Sequence, residues 1–161
     1  MNIQAKESGA VAVPFDRAKL DRLMDKAGID VVLATSKHNA QYLLGGYKFI
    51  FFSAMDAIGH SRYLPIVVYR KGEPEHAAYV GNRMEGHEQA VRPFWTPSVH
   101  TNCWGTVDAA KQAAEHLKKI GLDKGRIGYE PGFLSADAWM MLNHLLPDAT
   151  FVDAYGVMER L

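Results

Sequence analysis

The chain has 161 residues, 18 Lys plus Arg against 18 Asp plus Glu, and a pI near 7.1. That length suits one domain, the balanced charge leaves no electrostatic footprint for a nucleic acid, and the single cysteine excludes an internal disulfide or a Cys-rich zinc module. No apolar run reaches the ~18 residues needed to span a bilayer, and the opening stretch MNIQAKESGAVAVPF has no apolar core of signal-peptide length, so a cytoplasmic residence away from membranes is expected.

Residues 1–13 read as a loose tail. The first helix follows, with Asp16 at the N-cap and Phe15 and Leu20 spaced as a hydrophobic staple. Leu20, Leu23, Met24 and Ala27 fall on one face, and Gly28 supplies the left-handed stop. Asp30–Ala34 reads as a short buried strand, and His38–Leu44 as a helical turn before Gly45-Gly46. The Gly pair lacks any phosphate-loop context. The aromatic run Tyr47–Phe52 is either a buried strand or the lining of a pocket or interface, where aromatics are enriched. If the strand alternates, Tyr47, Phe49 and Phe51 share a face.

Tyr63–Arg70 and Glu75–Val80 flank Lys71-Gly-Glu-Pro74, a hairpin signal, with Pro65 at an edge or a strand start. Asn82–Ala90 is expected to hold a short helix, and Phe94–Thr106 mixes strand and loop around Trp95 and Trp104. Thr106 is the candidate N-cap of the next helix, whose face carries Val107, Ala110, Ala114, Leu117 and Ile120 before the stop at Gly121. Arg126–Glu130 reads as a strand, Ser135 to about Leu146 as a helix closed by Pro147, and Thr150–Asp153 as a last strand. The sum is an α/β domain with a mixed sheet flanked by helices.

Few residues suggest chemistry. His87, His100 and Cys103 match no strong zinc spacing, and neither HExxH nor CxxC occurs. Cys103 reads as a half-buried structural thiol. Asp30, Asp56, Glu130 and Asp153 sit at expected strand ends, where carboxylates more often cap or form ion pairs than hold a metal.

The order and spacing of Gly28-Ile-Asp-Val-Val-Leu33, His38-Asn39, Tyr42-Leu-Leu-Gly45, Arg126–Glu130, the 135–146 helix and Ala149–Asp153 resemble the N-terminal domain of the creatinase and Xaa-Pro peptidase family (prolidase, aminopeptidase P), over about residues 14–161. The resemblance implies a creatinase/prolidase-type domain at 14–156 with a ribonuclease H-like motif, and 157–161 as the start of a helix linking to a C-terminal metallopeptidase domain. It implies a non-catalytic role in a Xaa-Pro dipeptidase-like metallohydrolase: dimerisation, and a loop reaching the partner subunit's active site. That C-terminal domain would hold two divalent metals (Mn, Co or Zn) on two Asp, one His and two Glu, leaving no cofactor, metal or catalytic residue in this chain. In the creatinase branch the loop carries a Phe and an Arg. Aligned on Asn39, Tyr42 and Gly45, Phe51 matches the Phe and Ser53 stands where the Arg would be, which favours a proline dipeptide or related small amide over creatine. The candidate lid or interface residues are Tyr47, Phe51, Ser53, Trp95 and Trp104, in a homodimer that binds neither nucleic acid nor membrane. Two other readings stay open: a stand-alone peptide- or protein-binding module of the same fold, and a small independent enzyme using the carboxylates above.

Overall fold

The computed structural model describes residues 12–50 and 62–161. Helix α1 (Arg17–Ala27) starts where Asp16 accepts from Lys19 N at 2.9 Å and ends at Gly28, whose φ of 64° is the left-handed conformation that glycine adopts without strain. Its buried residues are Leu20 and Met24, and Leu23 is only partly covered, so the helix's inner face is narrower than its apolar spacing suggests. Strand β1 (Val31–Ala34) follows, then α2 (Lys37–Leu43), β2 (Ile66–Arg70) and β3 (Ala78–Asn82). Pro65 precedes the first ladder residue of β2, where its missing N–H costs nothing. Next come α3 (Gly86–Val91), β4 (Ser98–Cys103), α4 (Thr106–Lys119), β5 (Arg126–Tyr129), α5 (Ala136–Leu145), β6 (Thr150–Asp153) and the short α6 (Tyr155–Met158).

Six strands form one mixed sheet in the order β4-β3-β2-β1-β5-β6. The β1–β2 and β2–β3 pairs are antiparallel, and β3–β4, β1–β5 and β5–β6 are parallel. Strand alternation divides the core in two. Val31, Leu33, Ile66, Val68, Ala78 and Val80 face α4 and α5, contacting Ala110, Ala114, Leu117 and Leu142. Val32, Ala34, Val67, Tyr69 and Tyr79 face α1, α2 and α6, contacting Leu20, Met24, Leu43 and Met158. The expected α/β architecture with helices on both faces is therefore what the chain adopts.

Two local expectations are corrected. Residues 47–50 form no strand: Phe49 is buried but Ile50 is 61% exposed. Thr106 does not cap α4. The N-cap is Gly105, and the Thr106 hydroxyl donates instead to Asp137 Oδ2 at 2.7 Å. At the start of α5 the N-cap is Ser135, whose hydroxyl donates to Asp137 Oδ1 at 2.6 Å. Among the described residues, no helix is long and apolar enough to cross a membrane.

Candidate functional site

The antiparallel step at β2 brings one set of chain ends to a single rim. The carboxyl ends of β1, β3, β4, β5 and β6 lie there with the amino end of β2. In open α/β sheets this is the edge where ligands bind. Two buried carboxylates organise it.

Glu130 follows β5 and is 0% exposed. Its Oε2 accepts from Thr35 N at 2.6 Å and Ser36 N at 2.8 Å, and its Oε1 from Asn39 Nδ2. Ser36 Oγ caps α2 by accepting from Asn39 N at 3.1 Å. One carboxylate thus locks the β1–α2 turn to the end of β5. A cavity of about 340 Å³ lies beside it, lined by residues from this turn, from the chain entering β2 and from the starts of α4 and α5.

Glu85, also 0% exposed, closes the turn after β3. Asn82 Oδ1 accepts from Met84 N at 3.0 Å, and Glu85 Oε2 accepts from Asn82 N at 2.5 Å, a reciprocal capping box. Gly81 makes room for this fold-back, because a Cβ there would sit 2.5 Å from Glu85 Oε2. Glu85 Oε1 accepts from the hydroxyls of Tyr79 (2.6 Å), Tyr47 (3.0 Å) and Tyr63 (3.2 Å). Burial raises the Glu85 pKa against the pull of these donors. Burial, with the adjacent carboxylate adding to it, holds Tyr47 and Tyr63 well above the ordinary phenol value. One buried acid thus ties Tyr47, after α2, to Tyr63, before β2.

The residues singled out from the sequence do not assemble into one site. Tyr47 is half-buried on Glu85, edge-on to Phe94 at 4.7 Å. Trp95 is fixed by its Nε1–H donating to Leu43 O at 2.7 Å and by Phe15 at 5.7 Å. Both line a smaller cavity of about 210 Å³ with Pro14 and Phe94. Trp104 stands apart at the end of β4, 61% exposed, with the Arg83 guanidinium 5.9 Å from its ring. Phe51, Ser53 and Asp56 lie outside the described residues.

The other candidate groups are occupied structurally. Asp30 Oδ2 accepts from Arg126 N and Asp153 Oδ1 from Tyr155 N, both at 2.8 Å. His87 is exposed, and His100 packs edge-on to His116 at 5.6 Å. Cys103 is buried, and burial pushes its thiol up to about 12. Among the described residues, the one group of metal-ligating side chains is Glu73, Glu75 and His76. Glu73 already pairs with Arg70 at 3.0 Å and His76 at 3.2 Å. That set does not fit a two-metal centre of two Asp, one His and two Glu. Sequence reading missed the Glu85 hub, although Asn82-x-x-Glu85 after a strand is a legible capping signal.

The family model described as creatinase/prolidase N-terminal domain matches residues 17–161. Among solved structures, a Xaa-Pro dipeptidase from Bacillus anthracis superposes with a TM-score of 0.62 at 20% identity, over 89% of this chain and 34% of that one. The N-terminal domain of the cytoplasmic peptidase PepQ from Mycobacterium tuberculosis gives 0.61 at 20% identity, over 89% and 95%. A prolidase from Thermococcus sibiricus gives 0.66 at 12% identity, over 94% and 37%. The chain thus spans about a third of the dipeptidase and prolidase, and likeness at these identities is likeness of fold. No curated protein matches the sequence significantly.

Proposed function

Because the chain belongs to the creatinase/prolidase N-terminal domain family, we propose that it is the non-catalytic N-terminal domain of a Xaa-Pro dipeptidase-like metallohydrolase, which it serves by dimerisation and by presenting the Gly45–Asp56 segment to the partner subunit's active site. The observation that carries this reading is the double anchor at Glu85. Tyr47, within that segment, and Tyr63, beyond its end, bind one buried carboxylate, which fixes where the segment leaves and rejoins the sheet rim. Phe51 and Ser53 are the residues offered to the substrate, and Ser53 in place of a cation favours a proline dipeptide or related small amide. The two divalent metals belong to the C-terminal domain of the parent. The similarity to solved Xaa-Pro dipeptidases and aminopeptidases supports this assignment.

The test is hydrolysis of an Ala-Pro dipeptide with Mn²⁺, measured for the 161-residue chain and for the full parent. The reading expects turnover from the parent and none from the chain. Turnover by the chain alone would overturn it.

A stand-alone module that binds a peptide or protein is the second reading. It is favoured by the exposed aromatics Trp104, Phe133 and Tyr155, all of which follow strand ends on one rim. It predicts a parent with no turnover at all.

A further inference from the structure

The 340 Å³ cavity contains chemistry that the proposed role does not use. It lies where the topology makes a crevice. Strands β1 and β5 are parallel neighbours, yet the helix after β1 packs on one face of the sheet and the helix after β5 on the other. That is a topological switch point, outside whose strand ends ligands bind in doubly wound sheets. The volume is at the low end of the roughly 300–1,000 Å³ typical of ligand sites, which suits a molecule of amino-acid size.

The lining is divided. Leu64 and the half-exposed ring of Phe133 supply an apolar wall, and Arg62 supplies a cation. Among the described residues, no acidic side chain lines the cavity. The nearby acids are engaged: Glu130 by three N–H donors, and Asp137 by the hydroxyls of Thr106 and Ser135. Thr35 lines the cavity at 3% exposure, and its Oγ1 has no hydrogen-bond partner among the described residues. A buried hydroxyl left unpaired is costly and uncommon in native proteins. The backbone N–H of Thr35 is already spent on Glu130, so the hydroxyl is the donor left over. Helix α4 begins at the same place, with Gly105 offering no side chain to cap its first-turn N–H groups.

We propose that this crevice binds a small apolar carboxylate, its body against Phe133 and Leu64 and its carboxylate on Arg62 and the Thr35 hydroxyl. The same chemistry is offered by a free carboxylate of amino-acid size and by the C-terminus of a peptide. The proposal is independent of the parent's activity.

The test is an amide-shift NMR titration of the 161-residue chain. The probes are N-acetyl-L-leucine, its neutral analogue N-acetyl-L-leucinamide, sodium acetate, and an Ala-Ala-Leu peptide with free or amidated C-terminus. The expected result is saturable shifts at Thr35–Lys37 and Gly105–Thr106 with N-acetyl-L-leucine. Binding should weaken about tenfold or more for the leucinamide and for Arg62→Ala, as befits loss of a charge-assisted pair. Thr35→Val, which keeps the shape and removes the hydroxyl, should weaken it several-fold. Equal binding of the free-acid peptide assigns the site to chain termini, and weaker binding assigns it to free carboxylates. The proposal fails if no shift saturates, if acid and amide bind equally, if acetate alone binds as well as N-acetyl-L-leucine, or if Arg62→Ala changes nothing.

Discussion

Replacing Glu130 tests whether one buried acid holds the rim together. Glu130→Ala would leave the N–H groups of Thr35 and Ser36 buried without an acceptor and free the side chain of Asn39. Two orphaned backbone donors at about 1–3 kcal/mol each set a loss of roughly 2–6 kcal/mol. Removing a desolvated carboxylate recovers part of that, which places the net near 2–4 kcal/mol. Glu130→Gln keeps a carbonyl oxygen for both N–H groups, and a turned Asn39 amide can offer its own oxygen to the new NH₂. Its cost should be near 1 kcal/mol. The assay is urea unfolding followed by circular dichroism. At a slope of roughly 2 kcal/mol per molar, the Ala variant's midpoint should fall by about 1–2 M and the Gln variant's by about 0.5 M. If Ala costs less than about 1 kcal/mol, or Gln costs as much as Ala, the acceptor argument is wrong.

Other outcomes follow from the same geometry. Leu20→Ala, at a site that is 0% exposed, should cost about 2–5 kcal/mol, and Leu23→Ala clearly less because its side chain is only partly covered; equal costs in urea unfolding would refute this view of α1. Burial holds His100 and His116 below their ordinary value, with Lys119 adding to the effect, Glu115 opposing it at His100 and the His76 carbonyl opposing it at His116. A histidine kept neutral by folding contributes stability above its unfolded pKa, near 6.5, and loses it as the pH falls below. Stability should therefore drop between pH ~7 and ~5, and His116→Gln should flatten that drop; an unchanged slope would contradict the assignment. Glu85, raised by burial, acts with the opposite sign and toward the carboxylate range, so the His116→Gln difference isolates the histidine effect. The Cys103 thiol, buried and pushed up to about 12, should react with a thiol reagent only after unfolding, and rapid labelling of the native chain would show the site to be open.

What was legible in the sequence is what short-range chemistry decides. Asp16 and Gly28 bound α1 through bonds within a few residues, and Pro65 and Gly121 mark a strand start and a helix stop for equally local reasons. The misreadings are places where a distant partner wins. Thr106 sits one residue inside the helix that Gly105 caps, and its hydroxyl donates to Asp137, 31 residues on. Tyr47 and Phe49 look like alternate residues of a strand, but Tyr47 is drawn to Glu85 and Phe49 to the Tyr63 ring at 5.8 Å. The Glu85 hub gathers tyrosines at 47, 63 and 79, a spacing with no local period, so only the folded sheet reveals it. Glu130 was legible as a strand-end acid, but its partners after β1 were not, because they depend on β1 and β5 being neighbours.

In the proposed role this domain positions residues for chemistry performed elsewhere. The most direct measurement is the steady-state hydrolysis of an Ala-Pro dipeptide by the full parent carrying Phe51→Ala, alongside its melting temperature. The expected result is a fall in kcat/KM of about tenfold or more with the melting temperature nearly unchanged, as befits a contact made with substrate rather than with the core. A variant that loses several kcal/mol of stability yet keeps its specific activity when folded would make Phe51 a packing residue and contradict the claim.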